Sequence, residues 1–311
     1  MADVCHIERV RSQLIASGID AMLIKSGTMK KYLRTLTGSG CKVLVTLERA
    51  FLILDGRYVI EAREREHDLE FIEHAQGADY LMVVQKLLND LGASVLGVEA
   101  DQMSVGEYLY ARDLGIDLVL LDDEIPLIRI IKDGEEIAAV ERACRITDEI
   151  YEDVLAELHL GMTECEISAL LHYHALRRGA QRMSFDVIVG SGPRSALPHG
   201  RPTMRAVREH EAVLMDFGIQ YDGYQSDMTR VVFMGEPDPE MRRIYDVVLE
   251  AHLVGIASMR PGAVAEDVDA AARAVIEDAG YGGCFTHGLG HGIGINGRCC
   301  DRGAGPCSKR G

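Results

Sequence analysis

Two stretches of this chain, Gly161 to Gly179 and Gly262 to Gly280, align without a gap at an offset of 101 residues, and this repeat constrains the fold more than any other feature. Within it Ile167 matches Val268, Ala169 matches Ala270, and Leu170 and Leu171 match Ala271 and Ala272. Each stretch follows a longer amphipathic helix. The first of these opens at Asp133 and Glu136 and places Val140, Ala143, Ile146, Ile150 and Val154 on one face; the second runs from Glu240 to Met259. Thr163-x-x-Glu166 has the spacing of a capping box for a helix that stops at Gly179, and its counterpart spans Ala265 to Ala279. One such match between amphipathic helices arises by chance. The shared order, helix, helix, strand, favours a duplicated domain.

In the first half the helices lead to a strand over Phe185 to Val189, a turn at Gly190-Ser191-Gly192, and a β-hairpin over Asp216 to Asp227 that ends near Met234. Asp222-Gly223 is the two-residue turn, which requires φ > 0. Tyr221 then opposes Tyr224, Ile219 opposes Ser226 and Gly218 opposes Asp227. Asp216 shares a face with Asp227 on the diagonal, with Cβ atoms about 7–8 Å apart or somewhat less. Two like charges so placed repel unless a cation lies between them, which points to a divalent metal held by oxygen. The competing readings are solvated aspartates or a bond to an arginine such as Arg230.

Two histidines lie on glycine-rich segments. His291 sits in Thr286-His287-Gly288-Leu289-Gly290-His291-Gly292-Ile293-Gly294, in the second half where strand and turn stand in the first. Neutral imidazole is a common metal ligand, and flanking glycines let backbone approach closely. His199 follows the stretch from Ser184 to Gly192, within Pro198-His199-Gly200, on a loop suited to touching substrate. Taken singly, either histidine also reads as a satisfied turn residue.

The offset places the counterpart of the hairpin's end at about residue 335, beyond the 311 residues. Asn296 to Gly311 has no aliphatic residue larger than alanine, no strand or helix period, and three of the eight cysteines. Such a segment supplies no buried hairpin. The second half is therefore expected to be incomplete, with residues 296–311 an aberrant or disordered tail that reads as truncated or frame-shifted. A zinc site drawn from Cys284, His287, Cys299 and Cys300 lacks the C-x₂₋₄-C spacing of structural zinc.

Before the repeat, up to Arg129, short apolar runs (Ala21 to Ile24, Lys42 to Leu47, Phe51 to Asp55, Val95 to Val98, Leu118 to Leu121) alternate with helical patterns (Val4 to Ala16, Asp79 to Leu91), and Ser104-x-x-Glu107 resembles a capping box. This is an α/β domain without a phosphate loop, and Gly38-Ser39-Gly40 reads as a turn. Domain boundaries are expected at residues 1–131, 132–295 and 296–311. The net charge of −16 argues against nucleic-acid and anionic-membrane partners. Neither a signal peptide nor a membrane-spanning run is evident, which suggests the cytoplasm.

Four stretches together carry a resemblance: SFDVIVGSGPRSALPHGRP, LMDFGIQYDGYQSDMTRVV, the helix after Arg260-Pro261-Gly262 ending DAGYG, and THGLGHGIGI. They resemble the metallopeptidases of the pita-bread fold, the family of Xaa-Pro dipeptidase (prolidase), aminopeptidase P and methionine aminopeptidase. YLRTLTGSGCKVLV and FLILDGRYVIEAR are similar to the extra domain of the prolidase and aminopeptidase P branch. The resemblance covers Val4 to Ile295. It implies an α/β creatinase-type domain followed by an α+β catalytic domain with a pseudo-two-fold repeat, here incomplete at its C-terminus. It further implies hydrolysis of Xaa-Pro peptide bonds by a water activated by two metals, Mn²⁺ or Co²⁺ and in some members Zn²⁺. Asp216 then chelates one metal, Asp227 bridges both and His291 ligates the other, while His199 and His287 stand on the substrate side, steadying the tetrahedral intermediate and moving protons. The implied partner is a peptide with proline second, and a homodimer is compatible.

The family also has a histidine seven residues after the metal histidine and two later glutamate ligands. Arg298 holds the first position here, and no glutamate follows Glu277. Three of five ligands remain, so weak or partial metal occupancy and impaired hydrolysis are expected. A creatinase-like C–N hydrolase or a non-catalytic binding member of the same fold are the alternatives; the retained Asp216, Asp227 and His291 count against the first.

Overall fold

The computed structural model describes residues 6–64, 69–75, 79–122 and 124–295; the expected tail, with Cys299, Cys300 and Cys307, lies outside the described residues. The chain divides after Glu135 into two units.

The first unit is built on a six-stranded sheet. In chain order its elements are α1 (His6–Ser17), β1 (Ala21–Ile24), α2 (Gly27–Tyr32), β2 (Lys42–Thr46), β3 (Ala50–Asp55), α3 (Val59–Glu64), β4 (Glu70–His74), α4 (Tyr80–Leu91), β5 (Val95–Glu99), α5 (Val105–Asp113), β6 (Asp117–Leu121) and α6 (Glu124–Ile128). The strand order is β4-β3-β2-β1-β5-β6. β1, β2 and β3 pair antiparallel; β5 beside β1, β6 beside β5 and β4 beside β3 run parallel. β3 is buried along its whole length, as a central strand of apolar residues should be. Helix α4 starts where the Asp79 side chain accepts from Leu81 N and ends at Gly92 with φ +67°; Leu81, Val84 and Leu88 bury one stripe against the sheet. Ser104 and Glu107 form the expected capping box of α5.

The second unit contains the repeat. Helix α7 (Gly134–Glu157) precedes α8 (Glu164–Arg177), and α9 (Pro239–Ser258) precedes α10 (Ala265–Asp278). The 101-residue offset superposes both ends of α8 on α10. It also superposes four left-handed glycines: Gly161 and Gly262 at φ +86° and +84°, Gly179 and Gly280 at +85° and +91°. An L side chain is strained there, so glycine punctuates both copies. Thr163 and Glu166 make the capping box of α8.

Between the helix pairs lie β7 (Arg182–Met183), β8 (Ile188–Ser191), β9 (Ala212–Phe217), β10 (Ile219–Tyr221), β11 (Tyr224–Gln225) and β12 (Met228–Phe233). The hairpin has the expected register: Tyr221 pairs with Tyr224, Gln220 with Gln225, and Asp216 with Thr229. Its tip has φ +47° at Asp222 and +81° at Gly223, the type I′ signature. The two arms divide between two three-stranded sheets, β11-β10-β7 and β12-β9-β8. Val213, Met215, Phe217 and Ile219 pack with Ile150 and Val154 of α7 and Ile167 and Leu171 of α8 in one core.

Two local expectations are corrected. The strand expected over Phe185 to Val189 lies at Ile188–Ser191, because pairing with β9 runs on through Ser191 opposite Val213; Gly190 and Ser191 are strand residues, and the chain turns from Gly192. In the second half no strand forms over the described residues of 286–295. β8 exists by pairing with β9, and the counterpart of β9 is not among the described residues.

Candidate metal centre

Asp216 projects from β9, with Thr229 of β12 and Ile188 of β8 as its cross-strand neighbours. The Thr229 hydroxyl donates to its Oδ1 at 2.9 Å. Burial pushes its carboxyl above the usual aspartate range; the Thr229 bond opposes this, the charge of Asp227 adds to it, and His199 and His291 oppose it. Asp227 is the residue immediately before β12. Its Oδ2 lies 3.3 Å from His291 Nε2.

His291 reaches this place by a tethered segment without regular structure. Leu289 inserts into the small core formed by Ala251 of α9 and Ala272 and Ile276 of α10, and its N–H donates to Asp269 at 2.7 Å. Farther on, Gly294 O accepts from Gln225 N at 2.8 Å, which ties the segment to the hairpin. His291 Nδ1 lies 3.0 Å from Gly292 O. A carbonyl only accepts, so this contact places a proton on Nδ1; Nε2 then meets the Asp227 carboxylate as an N–H donor in the imidazolium or as a lone pair in the neutral ring. The imidazolium closes this 3.3 Å contact as an ion pair, and the neutral ring closes it around a metal cation. Ligands bound at about 2.0–2.2 Å to one ion stand about 3.0–3.4 Å apart, so the pair has the span of a coordination edge. An oxygen-rich set with one imidazole suits Mn²⁺, Co²⁺ or Zn²⁺. Among the described residues, no three of Asp216, Asp227, His199 and His291 bring ligand atoms all within 4.8 Å of one another. The donors therefore fit an ion at the Asp227 and His291 edge, with Asp216 farther out.

His199 is exposed on the loop after β8, and its charge acts on Asp216. His287 stands elsewhere: its ring meets Phe285 edge-on at 4.9 Å, Nδ1 lies 2.8 Å from Gly288 O, and its charge acts on Asp269. Arg230, the alternative partner for the aspartates, donates to Thr229 O.

One buried carboxylate that anchors the His199 loop carried no recognisable sequence signal. Glu164, at the start of α8, is fully buried and gathers both ends of the loop that bears His199. It accepts from Ser191 N and Oγ at 2.9 Å, from Arg194 Nε at 3.0 Å, and from Thr203 N and Oγ1 at 3.0 and 2.6 Å. An acid in the first helical turn usually reads as a surface response to the helix dipole.

The raised Asp216 carboxyl has a consequence for stability. Its contribution is fully present below the ordinary aspartate value of 3.8 and is lost as pH rises through the folded-state value, where a half-buried charge must form beside Asp227. In metal-free protein at pH 7, Asp216→Asn should therefore raise the melting temperature, with a gain that closes as pH falls toward 3.8. Thermal melts in chelator across that range check it.

Paired carboxylates beside a glycine-flanked imidazole, on a duplicated helical scaffold, are the donor set of metal-dependent hydrolases. The chain belongs to metallopeptidase family M24: residues 138–306 match that family, and residues 6–131 match the creatinase/prolidase N-terminal domain. It is similar to the uncharacterized peptidase YqhT of Bacillus subtilis, 34% identical over 93% of this chain and 82% of that protein. Among solved structures it resembles the Xaa-Pro dipeptidase from Bacillus anthracis, with TM-score 0.89 and 34% identity over 94% of this chain and 82% of that one. It also resembles prolidase from Pyrococcus furiosus, with TM-score 0.83 and 30% identity over 93% and 84% of the two chains. The expected family and two-part fold are thus borne out.

Proposed function

We propose that this chain is a metal-dependent hydrolase of Xaa-Pro peptide bonds, of the dipeptidase or aminopeptidase P type, and that residues 1–311 alone hold metal weakly. The observation that carries this reading is His291 Nε2 facing the Asp227 carboxylate at 3.3 Å. Family membership and the resemblance to a dipeptidase and a prolidase support the substrate class. Asp216, Asp227 and His291 would hold the divalent ions, Mn²⁺ or Co²⁺ with Zn²⁺ as a further choice. When bound, such ions lower the pKa of a water, orient it and polarise the scissile carbonyl. The chain's own part is to place two carboxylates of one hairpin on one face, and to present His199, on a loop pinned by Glu164, where it can donate a proton to the developing oxyanion or the leaving amine. His287 takes a similar role only after turning from Phe285 and Gly288.

No glutamate follows Glu277, so the two further carboxylates that the resemblance implies are not supplied by these residues. Fewer fixed oxygens and less negative charge mean partial occupancy. No helix among the described residues is long and apolar enough to cross a membrane, and with the net charge of −16 a cytoplasmic enzyme, alone or as a homodimer, is the consistent setting.

Titration with Mn²⁺, followed by loss of the free-ion electron paramagnetic resonance signal, tests the site. Asp227→Asn and His291→Ala should each weaken binding about tenfold or more, since outer-shell changes alone already reach that range. Unchanged affinity in both variants would remove the metal assignment.

A further inference from the structure

The hairpin is in register on both sides of one local defect. Near the tip Tyr221 pairs with Tyr224 and Gln220 with Gln225; lower down Phe217 pairs with Met228 and Asp216 with Thr229. Between them Ser226 N donates to Ile219 O at 2.9 Å, as an antiparallel ladder requires. The reciprocal donor, Ile219 N, goes instead to the Ser226 hydroxyl at 2.9 Å. The released Ser226 carbonyl accepts from Ser184 Oγ at 2.9 Å and lies so close over Gly218 that a Cβ there would be 1.9 Å from it. The next residue is Asp227. A side chain thus replaces one rung of the ladder immediately before the carboxylate that faces His291.

The Ser226 hydroxyl is itself held. Its Oγ lies 2.5 Å from Thr147 Oγ1 of α7, both residues are buried, and Thr147 Oγ1 donates to Ala143 O at 2.9 Å. Each hydroxyl has one proton. Thr147 gives its proton to Ala143, so it accepts from Ser226, and Ser226 accepts from Ile219 N–H. A 3.4 Å contact from Ser226 Oγ to Ile219 O is the weaker alternative for that proton. The relay from hairpin to helix therefore runs in one direction with every member satisfied. In the repeat, the 101-residue offset sets Val248 where Thr147 stands, so the second half has no hydroxyl at this place.

We propose that Thr147 and Ser226 are positioning residues: their hydroxyl relay holds the broken rung open, aims Asp227 at His291, and thereby sets divalent-metal affinity. The inference rests on the metal-site reading above. Without the Ser226 hydroxyl, Ile219 N–H loses its acceptor and is satisfied only if the ladder recloses on the Ser226 carbonyl, which would turn Asp227. Removing the Thr147 hydroxyl leaves the buried Ser226 proton only the weaker 3.4 Å contact to Ile219 O.

Mn²⁺ titration of the full chain with Thr147→Val, Thr147→Ser, Ser226→Ala and Asp227→Asn tests this, with a melt of each metal-free variant. Thr147→Val and Ser226→Ala should weaken Mn²⁺ binding about 10- to 100-fold, the range for residues that orient a ligand. Thr147→Ser, which keeps the hydroxyl, should bind as the parent does. Should Ser226→Ala fail to fold, the nearly isosteric Thr147→Val decides. Parent-like affinity in Thr147→Val beside weakened Asp227→Asn would overturn the positioning role and leave the metal site standing. Equal loss in Thr147→Ser and Thr147→Val would also overturn it, because the hydroxyl would not be the cause. Parent-like binding in Asp227→Asn would instead remove the metal site itself.

Discussion

Residues 1–311 alone should release proline from an Xaa-Pro dipeptide in Mn²⁺ at least about 1,000-fold more slowly than the same chain extended by a prolidase-like C-terminal segment that carries the two glutamates. The physical reason is the donor count. Asp227 and His291 offer one coordination edge, 3.3 Å long, and Asp216 stands outside any close trio with them. Two-metal hydrolysis needs both cations held about 3.5–4 Å apart, and a bridging carboxylate is what keeps two like charges at that separation. The same extension would give the second half its own β9-like partner, so the stretch around His291 could pair as β8 does. Equal rates in short and extended forms would show that the glutamates are dispensable. Absence of proline release from both would remove the Xaa-Pro reading and favour a non-catalytic member of the family.

A large effect of a different kind is expected at Glu164. Glu164→Ala should cost about 3–5 kcal/mol, the range for breaking a buried, hydrogen-bonded charge cluster by removing one partner. Total stabilities of domains are about 5–15 kcal/mol, so the variant should melt far earlier or fail to accumulate. Five donors from Ser191, Arg194 and Thr203 lose their acceptor together, and the loop they close is the one that carries His199. Burial alone would raise the Glu164 carboxyl, but the bonds from Thr203, Ser191 and Arg194 outweigh it and hold it below the ordinary 4.5. Its stabilisation is therefore present above that value and lost as pH falls through the folded-state value. Glu164→Gln, which keeps the shape but donates where the cluster already has donors, should be intermediate at pH 7 and should flatten the acid limb of the stability profile. Chemical denaturation at pH 7 and pH 4 measures both. A change below about 1 kcal/mol for Glu164→Ala would mean that water replaces the carboxylate freely.

What was legible in the sequence was local or periodic. The capping boxes at Ser104 and Glu107 and at Thr163 and Glu166, the Asp222-Gly223 turn, and the left-handed glycines that frame both copies of the repeat follow from steric rules acting over a few residues. The hairpin register followed from its turn. What was not legible depends on distant partners. β8 extends through Ser191 because β9 lies beside it, whereas the described residues of 286–295 form no strand. Glu164 resembled an ordinary first-turn acid until the loop from Ser191 to Thr203 closed over it. Thr147 stands on α7 and Ser226 in the hairpin, and only their meeting across 79 positions shows the relay behind Asp227. His287 and His291 share one motif, yet the anchoring of Leu289 between them turns the first toward Asp269 and the second toward Asp227.

The most direct test is anomalous diffraction at the manganese edge from crystals of this chain soaked in Mn²⁺. The arrangement described here predicts a peak within about 2.0–2.3 Å of both an Asp227 carboxylate oxygen and His291 Nε2, at partial occupancy, and no other peak in the second unit bound by three protein ligands. A fully occupied ion held elsewhere, or crystals with Asp227 and His291 ordered and no peak between them at saturating Mn²⁺, would contradict it.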